Sequence, residues 1–437
     1  MKNLNDKSLY KGKETVLMKN LYKLGLAGIL CGAMASFTAP IFAQEAAPAV
    51  APTEEEGQLA SFFKSVEVSG FLDTYYSYNY SNPKDNLGSG GDFARAEVAA
   101  GNSAEVRAFD REHNSFTLDN VEISVFKPST EKDPIGFGFT TNYGEIARRL
   151  TFVPSEMTLG GAGRVDNDDF TISQGFVTYK APIGKGIDFK FGKFATWIGA
   201  ELWESVDNPN FSRSLLYQNA IPFTNTGLAV SYPLLDKLTV TGYLVNGWDT
   251  FADNNDGKTL GYQFNWAVAE NTSFILNASH GPEQDDDLAG SGADGNWRHF
   301  WDIIVALKPL EKTSMNLNFD FGTEEGAEGT GGGFFASPTG RNGIWWGFSG
   351  IISQDITDSF GLALRGEYFD DNDGARMGFF GGRSQGAQVS EVTLTANIKI
   401  RENLLVRPEI RYDDADQEIF FGQDNQLTTA IDFAYMF

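Results

Sequence analysis

From Val66 to the carboxyl terminus the chain repeats one pattern: apolar and polar residues alternate with a period of two. Successive side chains of a strand point to opposite faces, so this period demands sheet rather than helix. In the first segment Val66, Val68, Gly70, Leu72, Thr74, Tyr76, Tyr78 and Tyr80 share one face, and Glu67, Ser69, Asp73, Ser77 and Asn79 the other. Leu260, Tyr262, Phe264 and Trp266 alternate with Gly261, Gln263 and Asn265, and Met315, Leu317, Phe319 and Phe321 with Asn316, Asn318 and Asp320. Such segments predict about sixteen strands, over 66–80, 114–126, 135–143, 170–180, 187–194, 224–232, 238–246, 259–268, 272–280, 297–308, 313–322, 343–353, 359–369, 389–400, 404–412 and 427–437. The second and fourth segments fit poorly. Phe116 and Leu118 are out of phase with Val121, Ile123 and Val125, which predicts a bulge.

The connectors fall into two alternating classes. From the second segment on, every other one is tight: Lys127–Pro134, Ala181–Gly186, Pro233–Lys237, Ala269–Asn271, Pro309–Lys312, Gln354–Asp358 and Arg401–Asn403. The rest (81–113, 144–169, 195–223, 247–258, 281–296, 323–342, 370–388 and 413–426) are long, polar and glycine-rich. All tight turns therefore lie at one end of the sheet. A soluble sandwich also alternates, but here the apolar face is expected to meet lipid and the polar face water. The strands are long enough to cross a bilayer obliquely, short turns oppose long loops, and aromatics collect near strand ends. Those aromatics are Tyr76, Tyr78, Tyr80, Tyr143, Tyr179, Tyr232, Trp301, Tyr368 and Tyr412. A sheet in lipid must also close, because unpaired edge groups find no water there. The fold class expected over 65–437 is an all-β transmembrane antiparallel β-barrel with short periplasmic turns and long extracellular loops.

The first 43 residues read as an export signal. Lys19 and Lys23 precede an apolar stretch, Leu24–Phe42, that ends at Ala43 before polar Gln44 and Glu45. Met18 stands just ahead and is an alternative start. Residues 44–64, rich in Ala, Pro and Glu, read as a periplasmic tether. Removing the signal removes Cys31, the single cysteine, and leaves 56 acids against 28 bases, a net charge of −28. This balance argues against nucleic acid, which needs clustered Lys and Arg. Three widely spaced histidines, His113, His280 and His299, offer no metal or catalytic motif, and no cofactor is expected. The acid clusters Asp253–Asp256 and 370–374 miss the calcium-loop spacing and read as turns.

Two stretches carry a resemblance. The last segment, ending Phe433-Ala434-Tyr435-Met436-Phe437, resembles the signal that bacterial outer-membrane barrels present to their assembly machinery, which makes Phe437 the implied contact. Phe191-Gly192-Lys193-Phe194-Ala195-Thr196-Trp197-Ile198-Gly199-Ala200-Glu201, Asp207-Asn208-Pro209-Asn210-Phe211-Ser212-Arg213-Ser214, Ile221–Leu228 and Val245–Asp249 resemble the OmpL-like β-barrel porin family. That resemblance, strongest over 170–250, implies a porin of the bacterial outer membrane without naming its solute.

A barrel of sixteen strands is too wide for side chains to fill and encloses a water channel. Passive diffusion of small polar solutes or ions is the expected function, with outer-membrane lipid and lipopolysaccharide around the barrel. A homo-oligomer is left open. The inward polar positions include Arg365, Glu367, Arg407, Glu409, Arg411 and Asp432, read as pore wall facing water. The connector 195–223 is unlike the other long ones, since it carries Trp197, Ile198, Leu202, Trp203, Phe211, Leu215, Leu216 and Ile221. It is expected to fold into the lumen and narrow it, with Glu201, Glu204, Asp207 and Arg213 at the constriction. Half a turn away, Arg365, Arg407 and Arg411 would form a basic wall facing those acids, and the acid surplus predicts a weak cation preference. Two alternatives remain at this point. One is a barrel that sheathes an electron-transfer or secretion partner. The other is a barrel enzyme, for which His280, His299 and Asp302 could meet but lack a G-x-S-x-G serine.

Overall fold

The computed structural model describes residues 65–81, 107, 109–110, 112–151, 169–284, 295–328, 340–377, 386–420 and 423–437. The export signal, the tether and most of the connector 81–113 lie outside the described residues. Sixteen strands form one closed antiparallel barrel in which each strand pairs with its neighbours in sequence and the first pairs with the last. They are β1 (Glu67–Asn79), β2 (Ser115–Lys127), β3 (Ile135–Tyr143), β4 (Phe170–Ala181), β5 (Ile187–Ala195), β6 (Thr224–Leu235), β7 (Leu238–Val245) and β8 (Thr259–Ala269). Then follow β9 (Thr272–Pro282), β10 (Trp297–Leu310), β11 (Thr313–Glu324), β12 (Gly343–Thr357), β13 (Phe360–Asp370), β14 (Gln388–Ile400), β15 (Leu404–Ala415) and β16 (Asn425–Met436). One short helix, α1 (Glu145–Thr151), follows β3.

The strands begin and end within a few residues of where alternation places them. Both phase breaks are bulges. Asp73 opposes Asn120 while Thr74 opposes Leu118, so Asp119 is extruded from β2. Thr140 opposes Gln174 while Thr141 opposes Ile172, so Ser173 is extruded from β4. The extra residue shifts every later side chain to the other face, which is how Leu118 and Val121 both point outward. Closure runs from Phe71 opposite Met436 to Asn79 opposite Thr428. It is sealed by reciprocal amide–carbonyl bonds of 2.9 Å between Gly70 and Phe437. No edge is left to template another chain.

The two faces differ as lipid and lumen would require. Outward residues such as Val68, Phe116, Phe191, Leu260 and Ile410 are exposed. Water would not tolerate apolar surface on this scale around a whole barrel, whereas hydrocarbon solvates it. The inward face departs from the expectation of a water-washed wall. Asp73, Asn142, Asp302, Asp320, Arg365, Arg407 and Asp432 are all fully buried. The residues that bury them come from the long connectors. Phe109, Ile146 and Leu150 of α1, Trp197, Trp203, Leu215, Tyr217, Phe223, Trp248, Met377 and Phe420 join Phe300, Trp345 and Phe369 of the wall in one apolar core. The lumen is thus packed towards the long-loop end, and nearer the short turns it opens, where Glu67, Ser69 and Lys308 are exposed.

Candidate pore constriction

The connector between β5 and β6 builds the site. Its base is closed by Thr196 N–H donating to the Phe223 carbonyl at 2.9 Å. The Asp249 carboxylate accepts the Phe223 and Thr224 amides at 2.7 and 2.8 Å. Trp197 then stacks on Tyr243 of β7, centroids 3.9 Å apart and planes 8° from parallel. Gly261 of β8 makes this seat: a Cβ there would stand 2.2 Å from the Trp197 ring. Only a residue without a side chain lets the indole lie against the sheet.

Beyond Trp197 the connector crosses the lumen and bonds to inward side chains of strands all around it. Gly199 N–H reaches Asp302 of β10 at 2.9 Å and Ala200 N–H reaches Asn318 of β11 at 3.0 Å. Trp203 Nε1 donates to Glu122 of β2 at 3.4 Å, and the Ser205 hydroxyl donates to Asp73 of β1. A 3-10 turn, Ser205–Asp207, redirects the chain along β13–β15. There Asn210 donates to Thr395 at 2.7 Å, Glu409 accepts the Phe211 and Ser212 amides at 2.8 and 3.1 Å, and Glu367 accepts those of Leu215 and Leu216 at 2.5 and 3.2 Å. A π-helical turn, Leu216–Ala220, ends the crossing, and Trp345 Nε1 of β12 donates to the Ala220 carbonyl at 3.2 Å. A loop buried without strands to pair with must satisfy its amides and carbonyls from side chains, and wall carboxylates and amides do so here.

The basic wall is in contact with this loop. Arg365 Nη1 lies 2.8 Å from Glu201 Oε1, and Arg365 Nε lies 2.6 Å from Glu391. Arg407 pairs with Asp432 at 2.6 Å and donates to the Ser205 carbonyl at 2.5 Å. Arg411 pairs with Asp413 at 2.7 Å and donates to the Arg213 carbonyl at 2.7 Å. The gap expected between acids and arginines is therefore closed on this side. The reason is electrostatic: a guanidinium buried in the lumen is stable only when its charge and donors are matched, and loop carbonyls and Glu201 complete what wall carboxylates begin.

The four loop residues expected at the constriction separate into three environments. Glu201 is buried in the Arg365 pair, and its second oxygen accepts the Ser214 amide at 2.9 Å. Glu204 is part-buried and Asp207 exposed, so these two face the remaining lumen. Burial and then the neighbouring carboxylates of Glu122 and Asp207 push the Glu204 carboxyl well above its ordinary value. Arg213 does not project into the lumen. It is fully buried, donates to the Phe211 carbonyl at 2.9 Å and to the Trp203 carbonyl, and stacks over Phe109. Its fork of donors staples the loop to itself. Of the wall set, Glu367 and Glu409 serve as amide acceptors for the loop rather than as solvated charges.

The alternating pattern does not reveal the aromatic cluster above the loop. Trp248 stands edge-on to Phe300 at 5.4 Å and to Trp345 at 6.4 Å, and the guanidiniums of Arg298 and Arg376 lie 4.5 and 5.1 Å from its centroid. One signal was available: Trp345 and Trp346 are consecutive in a strand, so one of them had to face inward. The histidine grouping does not assemble as a catalytic set. His280 and His299 meet on the outer face, whereas Asp302 points into the lumen and accepts from Asn277 and Asn318 at 2.7 Å each.

A family model described as "Putative beta-barrel porin-2, OmpL-like" matches residues 65–437. No curated protein matches the chain in sequence. Among solved structures, Salmonella typhi OmpF in complex with daunomycin aligns at a TM-score of 0.55 and 10% identity, over 85% of this chain and 97% of that one. An anion-selective porin from Comamonas acidovorans aligns at 0.54 and 9%, over 85% and 99%. The trimer form of OmpT, an outer membrane protein of Vibrio cholerae, aligns at 0.52 and 10%, over 85% and 99%.

Proposed function

The chain belongs to the OmpL-like beta-barrel porin-2 family of the bacterial outer membrane, and from that premise we propose that it is a narrow, non-enzymatic diffusion pore for small polar solutes or ions. The connector 195–223 sets the narrowing. The observation that carries this reading is the seating of Glu201 on Arg365, with the loop bonded to strands on both sides of the lumen. A barrel of sixteen strands otherwise encloses an open aqueous channel.

Selectivity on this reading comes from the acids left facing the lumen. Arg365, Arg407 and Arg411 are neutralised by Glu201, Glu391, Asp432 and Asp413. Glu204 and Asp207 remain beside the opening, so the local field favours cations weakly. The Comamonas porin is anion-selective, and at 9% identity its likeness to this chain carries the architecture alone. Residues 1–43 act as the export signal and 44–64 as a periplasmic tether. Phe437 engages the assembly machinery, and lipopolysaccharide surrounds the outer half. A trimer, the form in which Vibrio cholerae OmpT was solved, is the assembly to test by cross-linking. The direct test of the constriction is the double variant Glu201→Gln, Glu204→Gln. It is expected to raise single-channel conductance and lower cation preference, and unchanged conductance and selectivity would remove the constriction from the account.

A further inference from the structure

Two of the three histidines in the chain converge where the pore reading has no use for them. His280 of β9 and His299 of β10 are directly opposed across the strand pair. Their Nδ1 atoms stand 3.1 Å apart. Both rings are on the outer face, since Ser279 beside His280, and Arg298 and Phe300 beside His299, face the buried lumen. Each lies two residues inside the end of its strand at the long-loop side. At about 3.3 Å per residue this is roughly 7 Å from the strand end, the height of the aromatic belt and lipid headgroups.

From this geometry we infer that His280 and His299 form a two-nitrogen site for a divalent transition-metal cation on the outer surface of the barrel. Neutral imidazole is the commonest protein ligand for such ions, and it binds at about 2.0–2.1 Å. A metal at that distance from two nitrogens 3.1 Å apart subtends about 98°. That angle lies between the right angle of square-planar copper and the tetrahedral angle of zinc. The ligands are held before metal arrives. Trp301 lies 5.2 Å from the His280 ring and 6.2 Å from that of His299, and Tyr262 stands 5.8 Å from His280. Rings locked in this way lose little freedom on binding. Among the described residues no group of three or more His, Cys, Asp or Glu is placed to hold a metal. The remaining positions are therefore open to water or a headgroup phosphate, which makes this an exchangeable site. Copper(II) should bind most tightly, ahead of nickel and zinc, as intrinsic affinities for nitrogen ligands run.

The test uses the folded full-length barrel, without a histidine tag, in detergent, titrated with Cu²⁺ and read by electron paramagnetic resonance. The expected spectrum shows superhyperfine splitting from two equivalent imidazole nitrogens at one copper per chain. His280→Phe and His299→Phe should each abolish the two-nitrogen pattern. Each should weaken binding by at least the roughly tenfold that losing even an outer-shell partner costs. His113→Gln should leave the pattern intact, because His113 is buried and accepts the Asn79 amide at 2.9 Å. Wild-type protein gives a second reading that needs no variant to fold. Cu²⁺ should protect His280 and His299, and not His113, from diethyl pyrocarbonate, as seen by peptide mass. Copper that stays bound when His280→Phe and His299→Phe are combined, a one-nitrogen spectrum from wild type, or no protection would overturn the proposal.

Discussion

Glu201→Gln should undock the connector 195–223 from the wall. The carboxylate bonds Arg365 at 2.8 Å on one oxygen and the Ser214 amide at 2.9 Å on the other, and both residues are buried. Removing one partner of a buried ion pair costs about 3–5 kcal/mol, chiefly because a charge is left unmatched. Arg365 keeps Glu391 at 2.6 Å, so the low end, about 3 kcal/mol, applies. With 1.4 kcal/mol per decade, the population of undocked loop rises roughly a hundredfold. The reporter is Ala220→Cys, a fully buried loop position in a chain whose lone native cysteine, Cys31, precedes the first strand. Thiol labelling by a small maleimide then tracks the open population when closing is faster than reaction. The added Glu201→Gln should accelerate labelling by about two decades, and Glu270→Gln in an exposed short turn should not. Acceleration of less than about threefold would refute the claim that this pair holds the loop.

Three further outcomes follow from the same geometry. Cation preference, read as reversal potential in a salt gradient, should shrink as pH falls through the raised value of Glu204, because the carboxyl is ionised above that value and neutral below it. The change should begin above the ordinary carboxylate range and be absent in Glu204→Gln. Gly322→Val should destabilise the plugged end by about 1–3 kcal/mol through overpacking, since a Cβ there would stand 2.1 Å from the Trp345 ring; a lower melting temperature and red-shifted tryptophan emission check it. Deleting Phe437 removes the two backbone bonds to Gly70 that finish the β1–β16 ladder at its short-turn end, and the yield of heat-modifiable barrel in outer membranes should fall sharply.

How far the sequence could be read depended on which face a residue served. Outward faces meet one solvent, so Leu260, Tyr262, Phe264 and Trp266 keep strict alternation, and strand number, order and both bulges were legible. Inward faces meet both water and folded connectors. Polar positions such as Glu409 and Arg365 therefore read as pore wall although they serve as partners for buried loop amides and carbonyls. The unusual apolar content of 195–223 did indicate a loop with something to pack against. The contributions of Phe109, Ile146 and Leu150 were hidden in connectors that read as polar, and α1 is too short, at seven residues, to show a helical period.

Single-channel recording of the wild-type barrel beside a variant with residues 199–221 replaced by a short Gly-Ser link tests the central claim most directly. The account predicts small, ohmic, weakly cation-selective steps for the wild type and much larger, less selective steps for the variant. Folded wild-type barrel that never conducts, or two proteins with the same conductance, would contradict it.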